Sequence, residues 1–350
     1  MSAVSCQHHS FKLIEYLKNS KTHYEYSGIQ DKLLKSITIH SKMGDPPGLF
    51  VPLAGEKEDG HQYIHQYLAA HPDNLALCGN ACRDGVESQD LDRVIFVESP
   101  LAALQHMAVT HRLALNNQIV AITGSSGKTT FKNILAAVLR EKYRIVSTPG
   151  NLNNHIGVPL TLLQLTADTE VAVVELGMNH LGEMSALAQI AKPNIGVIIN
   201  VGLAHVGHLG SIENVAQAKA ELTMDVCSRG GSCYGLTPYQ QWFDPAIASK
   251  MKWVKPTHRL KGFELSASWQ LSYEGVSLNL AQMGVGEESV ALAMAVTATL
   301  GVSADQFWKG LKSFSTENRG LRGSLSRRGN SWIFLDCYKN TPQERSALFW

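Results

Sequence analysis

The sequence predicts an α/β protein with a small N-terminal α/β domain. A central, doubly wound, mostly parallel sheet built around a phosphate loop follows, then the start of a truncated, Rossmann-like third domain. Three observations predict it. From Gln118 onward strand-like and helix-like segments alternate, the pattern of a parallel sheet with crossover helices. A glycine-rich turn, Gly124–Thr130, joins the first of those strands to the first of those helices. The composition, 44% hydrophobic and 17% charged over 350 residues, suits two or three packed domains rather than a disordered chain. The boundaries are drawn at 1–110, 111–313 and 314–350.

The elements follow in order. SITIH (36–40) and GLFVPLAG (48–55) have strand character, HQYIHQYLAAH (61–71) helical character, and LDRVIFVE (91–98) strand character again. Ser99 with Pro100 behind it reads as a helix start for the segment running to Leu115. The central strands are QIVAIT (118–123), RIVST (144–148), VAVVEL (171–176) and NIGVIIN (194–200). Helices TTFKNILAAVLREK and LGEMSALAQIAK lie among them. Short polar strands are expected between about 255 and 285, a buried helix near 287–300, and a new strand and turn at SWIFLDCYKN. The longest apolar run, from Val290, carries two threonines and is too short to span a bilayer.

Bulk properties exclude some functions. A formal net charge of +1 gives no electrostatic case for nucleic acid or an anionic membrane. The first twenty residues lack the apolar stretch of a signal peptide. The six cysteines are scattered, with one close pair, Cys78 and Cys82, and no second pair to complete a zinc site. Reduced thiols in a cytoplasmic protein are the expectation.

The loop AITGSSGKTT carries the chemistry. Gly124 and Gly127 let the backbone fold tightly, and the helix N-terminus adds partial positive charge. Lys128 adds a full charge, and the Thr129 hydroxyl suits Mg²⁺ on bound phosphates. Ser125, Ser126 and Thr130 complete the cradle. It departs from G-x-x-x-x-G-K-[ST]: Ile122 stands where the first glycine belongs, and Gly124 replaces it two positions later. The plain alternative is a glycine-rich β–α turn with an incidental lysine. Glu175 closes the strand VAVVEL at the sheet edge where α/β proteins bind ligands. His205 follows the strand NIGVIIN, and Lys219 lies on a helix beyond. Their alternatives are a helix-facing ion pair, a loop histidine and a solvated surface lysine.

These stretches together resemble the Mur ligase family. The resemblance runs almost without gaps from about 118 to 224, through AITGSSGKTTFK, TPGNLNNHIGVPLTLLQL, VAVVELGMNHLGEMSALAQIAKPNIGVIINVGLAHVGHLGS and VAQAKAEL. It is closest to the branch that adds D-alanyl-D-alanine to UDP-N-acetylmuramoyl-tripeptide. SKMGDPPGLFVPLAGEKEDGHQYI also resembles that branch's UDP-sugar-binding domain, with Lys42 in place of an arginine and Pro52 in place of an alanine. The resemblance implies ATP-dependent peptidoglycan-precursor synthesis through an acyl phosphate, and an expected monomer. It implies that Lys128 holds the β- and γ-phosphates, that Thr129 and Glu175 bind one Mg²⁺, and that His205 binds a second. Lys219 matches a lysine that family members convert with CO₂ to a carbamate. Ser41, Lys42, Asn153 and Asn154 match substrate-facing positions, the asparagines having an asparagine-rich turn as their alternative.

The resemblance frays after about 225. GVGEESVALAMA lacks the family's adenine-holding asparagine, and LDCYKNTP stands for D-D-S-Y-N-A-N-P with Asp336, Tyr338 and Pro342 in common. Asp336, and Arg322 in GLRGSL, are the implied nucleotide contacts there. The family's third domain is not represented after Trp350, which leads one to expect that an acyl phosphate formed by this chain leaks to water. Two other readings stay open: a Mur-like ligase for a different carboxylate and amine, and a non-catalytic nucleotide-binding remnant.

Overall fold

In a computed structural model, residues 11–12, 17, 24–25, 33–204, 206–255, 263–265, 270–317, 324–328 and 331–335 are described. They fold into two compact units, whose boundary runs through one strand between Ala121 and Ile122. The first comprises residues 1–121, 146–178 and 182–194; the second comprises 122–145, 179–181 and 195–350.

The first unit opens with short strands β1 (Phe11–Lys12), β2 (Tyr24–Glu25) and β3 (Leu33–Leu34), followed by β4 (Ser36–Thr38), β5 (Gly48–Phe50), β6 (Leu75–Gly79) and β7 (Val94–Val97). A five-stranded sheet runs β2-β7-β6-β5-β4, with β4 to β7 parallel and β2 antiparallel at its edge. The helix Ile64–Ala70 covers it. Phe50, Ile64, Tyr67, Leu68, Ala76, Cys78, Val94 and Phe96 form that core. The helix Pro100–Ala114 begins where the sequence places it: the Ser99 hydroxyl accepts from Ala102 N at 3.2 Å, and Pro100 takes the first position, where no N–H is needed. The unit also holds the start of β8 (Gln118–Thr123), the last two residues of β9 (Ile145–Ser147) and all of β10 (Val171–Glu175), β10 lying between β8 and β9. Every residue of β10 is buried, as for a strand covered on both faces, which explains its unbroken apolar run.

In the second unit β11 (Ile195–Ile198), β12 (Ser232–Leu236) and β13 (Met251–Val254) are parallel neighbours. Ile199 N donates to Thr123 O at 2.9 Å, joining the end of β8 to this group. The polar strands expected after 255 form an antiparallel sheet of β14 (Phe263–Leu265), β15 (Gln270–Tyr273) and β16 (Val276–Asn279). Helix Glu287–Thr299 follows, then Ala304–Glu317 and a hairpin of β17 (Ser324–Arg328) and β18 (Ser331–Leu335). Helix Ala304–Glu317 lies so close to helix Lys128–Arg140 that a Cβ on Gly310 would sit 2.4 Å from Val138 Cα. No helix among the described residues is long and apolar enough to cross a membrane. Cys78, Cys82, Cys227 and Cys233 are free thiols.

Candidate active site

The glycine-rich loop lies in the second unit, between β8 and the helix Lys128–Arg140. Gly127 caps that helix in the left-handed region, φ +72°, which an L side chain adopts only at a cost. A Cβ built there meets nothing within 4 Å, so the turn faces open space at the helix N-terminus. The first helical bond runs from Phe131 N to Gly127 O at 2.9 Å. The amides of the first turn therefore point out along the axis, where an anion is favoured. Lys128 folds back across the loop, its Nζ donating to Gly124 O at 2.8 Å.

The loop is braced by a residue that the motif does not name. Asn200 follows β11, and its Oδ1 accepts from Ser125 N at 2.8 Å and Ser126 N at 3.1 Å. Its Nδ2 donates to Ser126 O at 3.1 Å. Gly202 N donates to the Ser125 hydroxyl at 2.9 Å. The amides of Ser125 and Ser126 thus face the strand end, and those from Gly127 onward lie at the helix N-terminus. Asn200 was legible only as the polar last residue of an apolar strand.

Lys219 sits on the helix Ile212–Ser228, which Ser211 caps through Asn214 N at 3.2 Å. It is only 1% exposed, so the solvated-surface alternative is excluded. A charged head group in such a place needs polar or charged partners to offset its lost hydration.

The carboxylate lies in the first unit. Glu175 ends β10 and is 1% exposed. Its N–H donates to the Thr148 hydroxyl at 2.9 Å, and its Oε1 accepts from Asn153 Nδ2 at 2.8 Å. Asn153 is itself fixed, Gly177 N donating to its carbonyl at 2.8 Å. Its neighbour does different work: Asn154 Oδ1 accepts from Gly157 N at 2.9 Å and Ile156 N at 3.2 Å, securing the start of the short helix Gly157–Leu162. The asparagine-rich turn is therefore both a turn and a carboxylate holder.

Ser41 and Lys42 lie on the loop 41–48 of the same unit, Lys42 exposed and Ser41 half-buried. The loop is tied down at its far end. Ser36 Oγ donates to Asp45 O at 2.6 Å and Lys35 N to Pro47 O at 2.8 Å. Gly48 N donates to Asn74 Oδ1 at 2.8 Å, while Asn74 Nδ2 donates to the Tyr67 hydroxyl at 2.8 Å. The nearby D-G-H segment is an anchor. Asp59 Oδ1 accepts from His61 N at 3.0 Å and lies 2.6 Å from His61 Nδ1; His61 Nε2 accepts from Gly79 N at 3.1 Å. Those bonds, the backbone one first, hold the Asp59 carboxyl below its ordinary range. Ligand atoms of Asp59, His61 and Cys82 lie within 4.8 Å of one another. Both ring nitrogens of His61 are already engaged, however, so the trio is a structural tie.

His205, Arg322, Asp336, Tyr338 and Pro342 lie outside the described residues.

Residues 122–295 match the Mur ligase middle domain. The chain is 36% identical over 167 residues to the UDP-N-acetylmuramoyl-tripeptide–D-alanyl-D-alanine ligase of Bacillus subtilis (strain 168), covering 48% of this chain and 35% of that protein. It is 38% identical over 149 residues to the ligase of the same name from Escherichia coli (strain K12), covering 43% and 31%. The matched region thus spans about a third of the length of these relatives. In fold it resembles MurF from Acinetobacter baumannii, with a TM-score of 0.77 and 24% identity over 97% of this chain and 75% of that one. It also resembles MurF ligase from Thermotoga maritima in complex with ADP, with a TM-score of 0.66 and 23% identity over 88% and 72%.

Proposed function

We propose, from the premise that this chain belongs to the Mur ligase family through its middle domain, that it is an ATP-dependent amide-bond ligase of peptidoglycan precursor synthesis acting in the cytoplasm. Its substrates are UDP-N-acetylmuramoyl-tripeptide and D-alanyl-D-alanine, as the names of the curated relatives suggest. The observation that carries the reading is the loop: a left-handed glycine at a helix start, open space before it, and Lys128 folded across the turn.

The reaction divides into two transfers. The tripeptide carboxylate attacks the γ-phosphorus of ATP, giving an acyl phosphate and ADP. The dipeptide amine then attacks the acyl carbon, loses a proton and expels phosphate. The protein's part is to position and to neutralise charge. Lys128 and the helix N-terminus meet the negative charge of the phosphates, with Thr129 and Thr130 beside them. The donor set Thr129, Glu175, His205 and Lys219 as a carbamate is all oxygen and imidazole, suited to Mg²⁺, which neutralises phosphate charge when bound. Asn153 orients Glu175 for that role through the bond at 2.8 Å. Ser41 and Lys42 are assigned to the UDP-linked substrate, and Arg322 and Asp336 to the nucleotide.

A second reading is favoured by one observation. Lys42, exposed on its loop, stands where the family carries arginine, and an ammonium does not reproduce a guanidinium's forked contacts. A related carboxylate and amine would then be the substrates. The test is phosphate release by the purified chain with Mg-ATP and UDP-N-acetylmuramoyl-tripeptide, with and without D-alanyl-D-alanine, while the UDP product is weighed by mass spectrometry. A mass gain of one dipeptide supports ligation by this chain, and tripeptide-dependent phosphate release without that gain supports the expected leak of the acyl phosphate to water. Phosphate release that ignores the tripeptide sinks the substrate assignment, and a folded chain that binds ATP without turnover sinks the ligase assignment.

A further inference from the structure

We propose that Asn200 is the positioning residue of the phosphate loop, setting through Ser125 and Ser126 how tightly the distal phosphates of a nucleotide are held. The proposal rests on the nucleotide-binding reading above. The loop has two residues between its glycines, half the four of the longer G-x-x-x-x-G-K-[ST] form, so it has few bonds of its own with which to fix its path. Asn200 supplies them from another strand. One planar amide accepts from Ser125 N and Ser126 N, at 2.8 and 3.1 Å, and gives back to Ser126 O at 3.1 Å. Neither a carboxylate nor an aliphatic side chain offers both halves of that exchange. The Ser125 hydroxyl closes the clasp, accepting from Gly202 N at 2.9 Å and donating to Gly202 O at 3.2 Å.

The consequence is a loop whose shape is set before any ligand arrives. Because Ser125 and Ser126 spend their amides on Asn200, the ligand meets only the donors from Gly127 into the helix, in a fixed orientation. Without the Asn200 side chain the loop keeps the Gly202 bonds and a backbone bond from Ser125 N to Asn200 O at 3.3 Å, so the rest of its ordering falls to the nucleotide and is subtracted from the affinity. The effect is confined to the phosphates the loop touches. It weakens ATP and ADP, and it spares AMP, which lacks the distal phosphates.

The test titrates MgATP, MgADP and AMP by calorimetry into the full chain and into Asn200→Ala, Ser125→Ala, Lys128→Ala and the Asn200→Ala/Lys128→Ala double variant. Asn200→Ala is expected to weaken ATP and ADP by roughly tenfold, the net worth of one or two hydrogen bonds. AMP should change by less than about twofold. Ser125→Ala should weaken ATP and ADP by less, in the same order. The double variant should lose less than the product of the two single losses, because both residues act through one loop. ATP affinity unchanged in Asn200→Ala, equal weakening of all three nucleotides, or multiplicative losses in the double variant each overturn the proposal. Should Asn200→Ala not fold, Asn200→Ser and Ser125→Ala decide it by the same nucleotide series. Failure of the unaltered chain to bind any of the nucleotides overturns the nucleotide reading itself, a result distinct from the failure of the clasp in a chain that binds.

Discussion

Asn74 is fully buried and holds two polar groups that have no route to water: Gly48 N–H, through Oδ1 at 2.8 Å, and the Tyr67 hydroxyl, through Nδ2 at 2.8 Å. Replacing it by alanine leaves both without that partner. A buried group orphaned in this way costs about 1–3 kcal/mol, so Asn74→Ala should lose about 2–5 kcal/mol of unfolding free energy. Denaturant unfolding followed by far-UV circular dichroism measures it as a fall in midpoint at unchanged slope. Asn74→Asp separates the two bonds. It keeps the acceptor for Gly48 N, but it places a carboxyl where solvent does not reach, and burial raises such a group's pKa above its unfolded value of about 3.9. The folded form then holds the proton over a range where the unfolded chain has released it. Stability of this variant should therefore be greatest below about pH 4 and fall as pH rises through the folded pKa. A loss below about 1 kcal/mol in the alanine variant, or a pH-independent aspartate variant, would refute the reasoning. Because Gly48 ends the loop carrying Ser41 and Lys42, affinity for the UDP-linked substrate should fall in Asn74→Ala as well.

Other outcomes follow from the same geometry. Lys128→Ala should abolish ATP turnover, measured as phosphate release; retained turnover removes the charge assignment. Gly127→Ala forces an L residue to φ +72°, costing about 1–2 kcal/mol in a thermal melt, and should cut ADP affinity at least about tenfold because its methyl enters the open turn. Lys219→Ala should lose activity and regain part of it with added acetate, whose carboxylate stands in for the carbamate; a fully active variant reduces Lys219 to a packing role. His65 Nδ1 lies 2.7 Å from the buried Asp90 carboxylate, and that bond raises the histidine above its ordinary value. The stability it contributes is full below about pH 6.5 and is lost as pH rises through the folded value, so His65→Gln should flatten the pH–stability curve there.

The parts legible in the sequence were those where one local pattern decides the structure. Ser99 and Pro100 start a helix by their own chemistry, and a glycine just before Lys128 marks a tight turn into a helix from within the loop. Other elements escaped because their determinants are remote. β6 is a five-residue apolar run buried on both faces, with no alternation to mark it as a strand. The helix Gly157–Leu162 contains glycine and proline and is buried all round; tertiary packing overrides its poor propensity. Helix Ala304–Glu317 carries Gly310, which discourages a helix reading until its neighbour is seen to leave no room for a Cβ. Asn200 is the sharpest case. Its partners lie about 75 positions earlier in the chain, so nothing local separates it from an ordinary loop asparagine.

Lys219 differs, because its burial was written in the sequence and residue type obscured it. The buried positions of helix Ile212–Ser228 include Val215, Ala218, Lys219, Leu222 and Val226. Lys219 is four residues after Val215, three before Leu222 and seven before Val226, the spacing of a single helical stripe. Ala216 and Ala220, also buried, leave room beside it for a long side chain. A lysine at the centre of an apolar stripe is a different object from a lysine on the polar face, although both read as charged residues on an amphipathic helix. Its methylenes are welcome in that stripe, while its charged head must be met there by polar or charged partners. Carbamylation would trade a cation for an anion and turn a poor ligand for Mg²⁺ into a good one. That is why the acetate rescue of Lys219→Ala is informative: a short carboxylate can replace the chemistry of a carbamate, but it does not replace the packing of four methylenes.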